Sequence, residues 1–219
     1  MDARDLRGLF LTIEGPDGAG KTTQARLLVE RFGPRFPILY TREPGGTAIG
    51  EHIREILLSP THREMSPLTE MLLFAASRAQ FVAEVVLPAL RSGRIVLSER
   101  FVDASIAYQG YGRGIDLEVV RRVNEIATGG LRPDLTILVD IDPEVGLQRI
   151  QKAGRRTAGD RLEREDLAFH RKVREGFLAI AREEPDRVVI VGGDRSVAEV
   201  HGEIALLVER FLAERGWKG

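Results

Sequence analysis

The sequence predicts an α/β fold: a five-stranded parallel sheet flanked by helices on both faces. Three observations carry this. Short β-branched or aliphatic runs alternate with helix-period segments along the chain. "DLTILVDI", residues 134–141, is apolar on both faces, as a parallel strand between two helical layers must be. No repeat or linker divides the 219 residues, so one domain spans 1–219.

The elements follow in order. "LFLTIE" reads as the first strand, and "GKTTQARLLVERFG" as a helix closed by Gly33. "PILYT" is the second strand. "TAIGEHIREILLS" places Ile49, Ile53, Ile56 and Leu57 at helix spacing. Ser66-Pro67 is an N-cap with proline at N1. It opens a long helix to about Ala89, which Pro88 ends or bends. "RIVLSE" is the third strand and "DLEVVRRVNEIA" a helix. After the fourth strand, Asp142-Pro143 caps another helix. "EDLAFHRKVREGFLAIAREE" is helical, "RVVIVG" is the fifth strand, and "SVAEVHGEIALLVERFLAERG" is the last helix. "KAGRRTAGDRLER" is the one long polar, basic break, expected to be a flexible lid over about 150–163.

Composition narrows the function. The net charge of −1 gives no global basic field for nucleic acid. With no cysteine, disulfides, thiolate metal sites and thiol nucleophiles are excluded. The start "MDARDLRGLF" lacks the apolar stretch of a signal peptide, and runs such as "LTILV" are too short to cross a bilayer. A cytoplasmic protein without a membrane partner is expected.

Gly15, Gly20, Lys21 and Thr22 satisfy G-x-x-x-x-G-K-[ST], after a strand and at the start of a helix. The loop, residues 15–22, is built to hold phosphate. Its glycines turn backbone N–H groups inward, and the helix N-terminus adds positive potential. Gly15, Pro16, Asp17, Gly18, Ala19, Gly20, Lys21, Thr22 and Thr23 are the candidate ATP-binding residues. Lys21 would neutralise the β- and γ-phosphates, and the Thr22 hydroxyl could ligate magnesium. A GTPase would need a base-reading Asn-Lys-x-Asp. The single asparagine, Asn124, is followed by Glu125, so that reading fails. A small-molecule kinase remains.

Three more stretches flank strand ends: "TREPGGTAIGEHIREILL", "LLFAASRAQ" and "SERFVDASIAYQGYGRG". Phe74 and Arg78 stand at i and i+4, on one helix face. An aromatic face can stack on a base while a guanidinium donates to its carbonyl. Taken alone, the pair fits a core aromatic and a surface charge better than a base site. Ser105, Tyr108 and Gln109 share a face if "VDASIAYQG" is helical. Arg42 and Arg100 each follow a strand, and Pro44, Gly45 and Gly46 read as a tight turn at the pocket floor.

From Phe10 to about Phe211, including "LVDIDPEVGLQR" and the basic stretch after it, the sequence resembles bacterial thymidylate kinase. The resemblance implies a P-loop nucleoside monophosphate kinase fold, transfer of the γ-phosphate of ATP to dTMP, and a homodimer packed through long helices. It assigns Phe74 to thymine stacking and Arg78 to the thymine O4. It sets Tyr108 against the sugar, with Gln109 and Ser105 near the base. It gives Arg42, Arg54 and Arg100 to the acceptor phosphate, Pro44 to the pocket floor, and Asp17 to the 3′-OH of dTMP. Arg100 would span acceptor and transferred phosphoryl group.

The sequence departs from the family pattern twice. Asp-Arg-Tyr after the third strand is here Glu99-Arg100-Phe101. Glutamate is a methylene longer, and contact with magnesium through water would absorb that length. The loop also lacks the arginine many relatives carry there. Relatives without it place arginines in the lid, where Arg149, Arg155, Arg156 and Arg161 are available, with Arg155 and Arg161 the preferred catalytic pair. No general base is required, because a phosphate monoester with a second pKa of about 6 is already an anionic nucleophile near neutral pH. The remaining work is positioning and charge stabilisation. The alternatives are a kinase of dUMP, AMP or GMP, and an ATP-binding regulatory module with no small acceptor.

Overall fold

The computed structural model describes residues 6–152 and 160–217. Five strands, β1 (Leu9–Glu14), β2 (Ile38–Arg42), β3 (Ile95–Glu99), β4 (Leu135–Asp140) and β5 (Val188–Gly192), form one sheet in the order β2-β3-β1-β4-β5. Every pairing is parallel. The five-stranded parallel sheet expected from the sequence is therefore present. β1 is central and buried along its length, so its alternate residues feed two cores.

Leu9, Leu11 and Ile13 of β1 pack with α1 (Lys21–Phe32) and α9 (Val197–Glu214) on one face. Phe10 packs on the other face, against Phe81, Val86 and Leu90 of the long helical run that starts with α3 (Pro67–Phe81). A third cluster joins Leu57 of α2 (Ala48–Leu58), Met71 and Phe74 of α3, and Phe169, Val173 and Phe177 of α8 (Leu167–Glu183).

Helix ends follow the sequence signals. Ser66 caps α3 by accepting from Thr69 N, with Pro67 in the first turn. Asp142 Oδ1 accepts from Glu144 N at 2.8 Å, at the start of α7 (Pro143–Lys152). Pro88 does not end the long helix. A π-helical turn at Val82–Val86 precedes it, and the helix resumes as α4 (Leu87–Arg91) with Pro88 in the first turn, where a missing N–H costs little. By length and composition alone, Pro67–Arg91 could cross a bilayer. Here its Phe81, Val82 and Val86 are core residues, and Glu70 and Arg78 are buried in ion pairs.

After β3, α5 (Val102–Ser105) runs into a second π-helical segment, Ile106–Gly112, before α6 (Leu117–Thr128). The shared face of Ser105, Tyr108 and Gln109 depends on "VDASIAYQG" being helical, and it is, though not uniformly α. The wider π turn instead carries Tyr108 and Gln109, and such turns recur at functional sites.

Candidate active site

One cavity of about 480 Å3 lies at the carboxyl ends of β1, β2 and β3, where open parallel sheets bind ligands. Asp17, Gly18, Gly20, Lys21, Thr22 and Thr23 line one part of it. The loop backbone depends on glycine. Gly18 has φ +77°, and a Cβ there would stand 2.1 Å from Gly146 O. Gly15 has φ +142°, and its Cβ would meet Val139 O at 2.2 Å. No side chain fits at either position. Gly15, Pro16 and Ala19 stand behind the cavity wall. The Lys21 ammonium donates to Gly15 O at 3.0 Å and Pro16 O at 2.7 Å, so the cation is held by the loop it serves. Burial, then the Arg100 charge, push the Lys21 pKa down to about 8.

Asp17, in the middle of the loop, is tied to Arg100 and Tyr108. Its Oδ1 pairs with Arg100 Nη2 at 2.5 Å, and its Oδ2 accepts from Tyr108 OH at 2.7 Å. Arg100 Nη2 also donates to Tyr108 OH at 3.1 Å, with the guanidinium over the Tyr108 ring at 4.9 Å. Burial would raise the Asp17 pKa, but Arg100, Lys21 and the Tyr108 hydroxyl outweigh it and hold the carboxyl below its ordinary range. The middle of the phosphate loop is thus tied to the residues expected around the acceptor.

Arg100 sits at a strained turn. Its φ of +68° is the only positive value at a non-glycine among the described residues. The flanking peptides are pinned: Arg100 N donates to Ile13 O at 3.1 Å, Ser98 Oγ to Arg100 O at 2.9 Å, and Phe101 N to Glu14 Oε1 at 2.6 Å. Glu14 is fully buried, and its Oε2 has no hydrogen-bond partner among the described residues. Burial and the neighbouring Asp103 charge push its pKa up to about 8. Phe101 needs no hydroxyl in this setting: it is a core residue, edge-on to Phe10 with ring centroids 4.9 Å apart.

Pro44, Arg54, Phe74, Ser105, Tyr108 and Gln109 line the rest of the cavity with Arg100. Arg54 Nη1 donates to Pro44 O at 2.9 Å, across the cis Glu43–Pro44 turn. Two expected acceptor residues lie elsewhere. Arg42 is half-exposed and paired with Glu51 at 3.3 Å. Arg78 is buried behind the wall, donating to Ser105 Oγ at 2.9 Å, to Phe101 O at 3.2 Å and to Asn124 Oδ1. Its Nη2 forms a 2.6 Å ion pair with Glu43, without hydrogen-bond alignment. Glu43, Asp160, Leu58, Leu162 and Glu163 also line the cavity, and sequence reasoning did not single them out.

Arg155 and Arg156 lie outside the described residues. Arg161 does not line the cavity. Its Nε donates to Leu57 O at 3.0 Å, and its Nη2 stands 2.6 Å from Glu70 Oε2. It is committed to a buried acid in this conformation. Arg149 does reach the cavity, with Nη1 bonded to Gly193 O at 2.9 Å.

The donor set for a metal is small and hard. Thr22 Oγ1 donates to Glu99 Oε2 at 2.7 Å, and Tyr40 OH donates to Glu99 Oε1. A hydroxyl and a carboxylate facing a phosphate loop fit magnesium, which takes few protein ligands and keeps several waters. Among the described residues no cluster of three or more acids and histidines competes for that role. Asp140, the acid at the end of β4, is held bidentately by Arg174, both bonds at 2.8 Å.

Comparison with known proteins agrees with this geometry. The thymidylate kinase family model matches residues 13–204. A thymidylate kinase of Exiguobacterium sp. (strain ATCC BAA-1283 / AT1b) is 50% identical over 200 residues, 91% of this chain and 93% of that one. One from Pelotomaculum thermopropionicum is 48% identical over 208 residues, 94% of this chain and 95% of its own. The crystal structure of thymidylate kinase from Ehrlichia chaffeensis superposes with a TM-score of 0.75 at 32% identity, covering 92% of this chain and 98% of that one. A phosphate loop lining the cavity, on a chain about half identical to the Exiguobacterium and Pelotomaculum enzymes along nearly its whole length, has one consequence: the chain belongs to the thymidylate kinase family of phosphotransferases.

Proposed function

We propose that the chain transfers the γ-phosphate of ATP to dTMP, giving ADP and dTDP, with both nucleotides in the one cavity. The observation that carries this is the Asp17–Arg100–Tyr108 triad, which joins the phosphate loop to the acceptor pocket. The loop N–H groups and Lys21 hold the donor phosphates. Arg100 lies between the two halves and neutralises charge as they meet, aided by Arg54. Phe74 stacks on the base, Tyr108 crowds the sugar, and Ser105, Gln109 and Pro44 complete the acceptor wall. Arg78 acts on the base through Ser105. Asp17 accepts from the 3′-OH of dTMP, a neutral donor, so its charge need not face ATP.

The acceptor phosphate oxygen, already anionic, is the nucleophile, so no side chain has to remove a proton. Thr22 and Glu99 would hold magnesium, which when bound neutralises charge on the donor phosphates. Arg155 is the lid residue assigned to the transferring group. Arg161 would join it only after leaving Glu70, and until then it anchors the lid base on α2.

Dimerisation through α2, α3 and α6 belongs to the same reading. These helices pack together and leave Ile49, Ile56, Leu68, Leu72, Val119 and Ile126 exposed, more large apolar surface than a solvated helix layer needs. Sedimentation should give a dimer. Activity is tested by ADP release with ATP and dTMP, dUMP, AMP or GMP. Release should depend on the acceptor and be greatest with dTMP. Release with no acceptor dependence would refute the proposal.

A further inference from the structure

Gln109 is almost fully buried at the cavity wall, and its side-chain amide is not free to turn. Its Nε2 donates to Glu70 Oε1 at 2.9 Å. Glu70, in the first turn of α3, has no exposed surface. The same carboxylate accepts from Arg113 Nε at 3.2 Å and Arg113 Nη2 at 2.9 Å, and has Arg161 Nη2 at 2.6 Å. Arg113 is held in turn by Glu165 at 2.7 Å and by the face of Phe169 at 4.6 Å. Burial would raise the Glu70 pKa, but the two arginines and the Gln109 amide outweigh it and keep the carboxyl below its ordinary range. An ionised carboxylate can only accept hydrogen bonds. Turning the Gln109 amide over would set two acceptors against each other in a buried site.

Since Nε2 is committed to Glu70, the amide oxygen Oε1 is left for the cavity. An acceptor at the edge of a pyrimidine takes the ring N3–H of thymine or uracil. Cytosine has no such proton: its N3 is itself an acceptor. We infer that Glu70 is a positioning residue for base choice, fixing the Gln109 amide so that the acceptor pocket takes pyrimidines carrying N3–H and rejects cytosine. The inference rests on the proposed acceptor reading, and it adds a residue that does not line the cavity.

The test is the ratio of kcat/KM for dTMP to that for dCMP in the full-length protein. Wild type should favour dTMP strongly. Glu70→Gln offers Gln109 either a donor or an acceptor, so the amide can turn. The ratio should fall by about tenfold or more, through gain with dCMP as well as loss with dTMP. Arg113→Met, which leaves the Glu70–Gln109 bond in place, should keep the ratio within about threefold of wild type. If Glu70→Gln does not fold, Glu70→Asp keeps the charge but falls a methylene short of Gln109, and should lower the ratio in the same way. An unchanged ratio in a folded Glu70 variant overturns the inference alone. An equal fall in Arg113→Met also overturns it, by making the effect general loosening. A wild type that does not prefer dTMP overturns the acceptor reading and the inference with it.

Discussion

Raising the pH from 7 to 9 should weaken ATP binding by about tenfold, through Lys21. The ammonium is buried against Gly15 O and Pro16 O, and burial together with the Arg100 charge lowers its pKa to about 8. Bound phosphates favour the charged form and raise that pKa again. The bound state therefore holds a proton that the free state gives up as pH rises through 8, so binding takes up protons and affinity falls. The cost factor, one plus ten to the power pH minus pKa, grows from about 1.1 at pH 7 to about 11 at pH 9, or about 1.4 kcal/mol. Calorimetry with a non-hydrolysable ATP analogue, in two buffers of different ionisation heat, measures both quantities. Uptake should climb from about 0.1 proton at pH 7 to about 0.9 or more at pH 9. Lys21→Arg, charged throughout, should show a much flatter profile. Equal affinity at both pH values with no proton uptake would refute the reasoning.

Three further outcomes are expected. Glu14→Gln should stabilise the fold, and more so at higher pH. The native carboxyl keeps its proton up to about 8 while the unfolded chain loses it near 4.5, so the wild type loses several kcal/mol over that range and the amide does not; thermal melting at pH 5 and pH 8 checks the sign. Phe74→Ala should weaken dTMP much more than ATP in calorimetry, because Phe74 lines the cavity where the proposed function seats the base, and equal loss of both ligands would make it a packing residue only. Arg100→Ala and Arg100→Gly should both lose turnover by several orders of magnitude while remaining folded. The glycine variant should be the more stable by about 1 kcal/mol, because φ is +68° there.

The sheet, the loop and most of the cavity lining around Phe74 and Tyr108 were legible in the sequence because each is a local pattern. Alternating periods give the strands and helices, and one spaced motif gives the loop. The π-helical turns at Val82–Val86 and Ile106–Gly112 were not legible, since nothing in "VAEVV" or "IAYQGYG" departs from an α-helical run. Nor were Glu14, Glu43 and Glu70, which composition reads as surface charge until their arginine and backbone partners appear from elsewhere in the chain. Arg161 shows the same limit. Its position beside the basic stretch suggested the phosphates, while its partner Glu70, ninety-one residues earlier, is visible only in three dimensions. One signal was available: an acid within "TEMLLFAASR", one turn before Phe74 and on its side of the helix, is unusual on a face that must be dry.

Carboxylates around a site for two polyanions raise a charge question, and the distances answer it. Arg100 is held by Asp17 and Tyr108, and Arg78 by Glu43. Without these partners the guanidiniums would be buried and unpaired, a costly state that would collapse the pocket or turn the arginines outward. With them, the cations are in place before any ligand arrives. Arg100, held by Asp17 on one side, keeps donors for the cavity it lines, while Arg78 spends its donors inside the wall on Glu43, Ser105, Asn124 and Phe101 O. The arrangement lowers the affinity that bare cations would give for phosphate, but it spares the reordering that would otherwise oppose each turnover. Asp17 fits this logic from inside the phosphate loop: it fixes Arg100 at the junction of donor and acceptor, and that junction is where negative charge must be met.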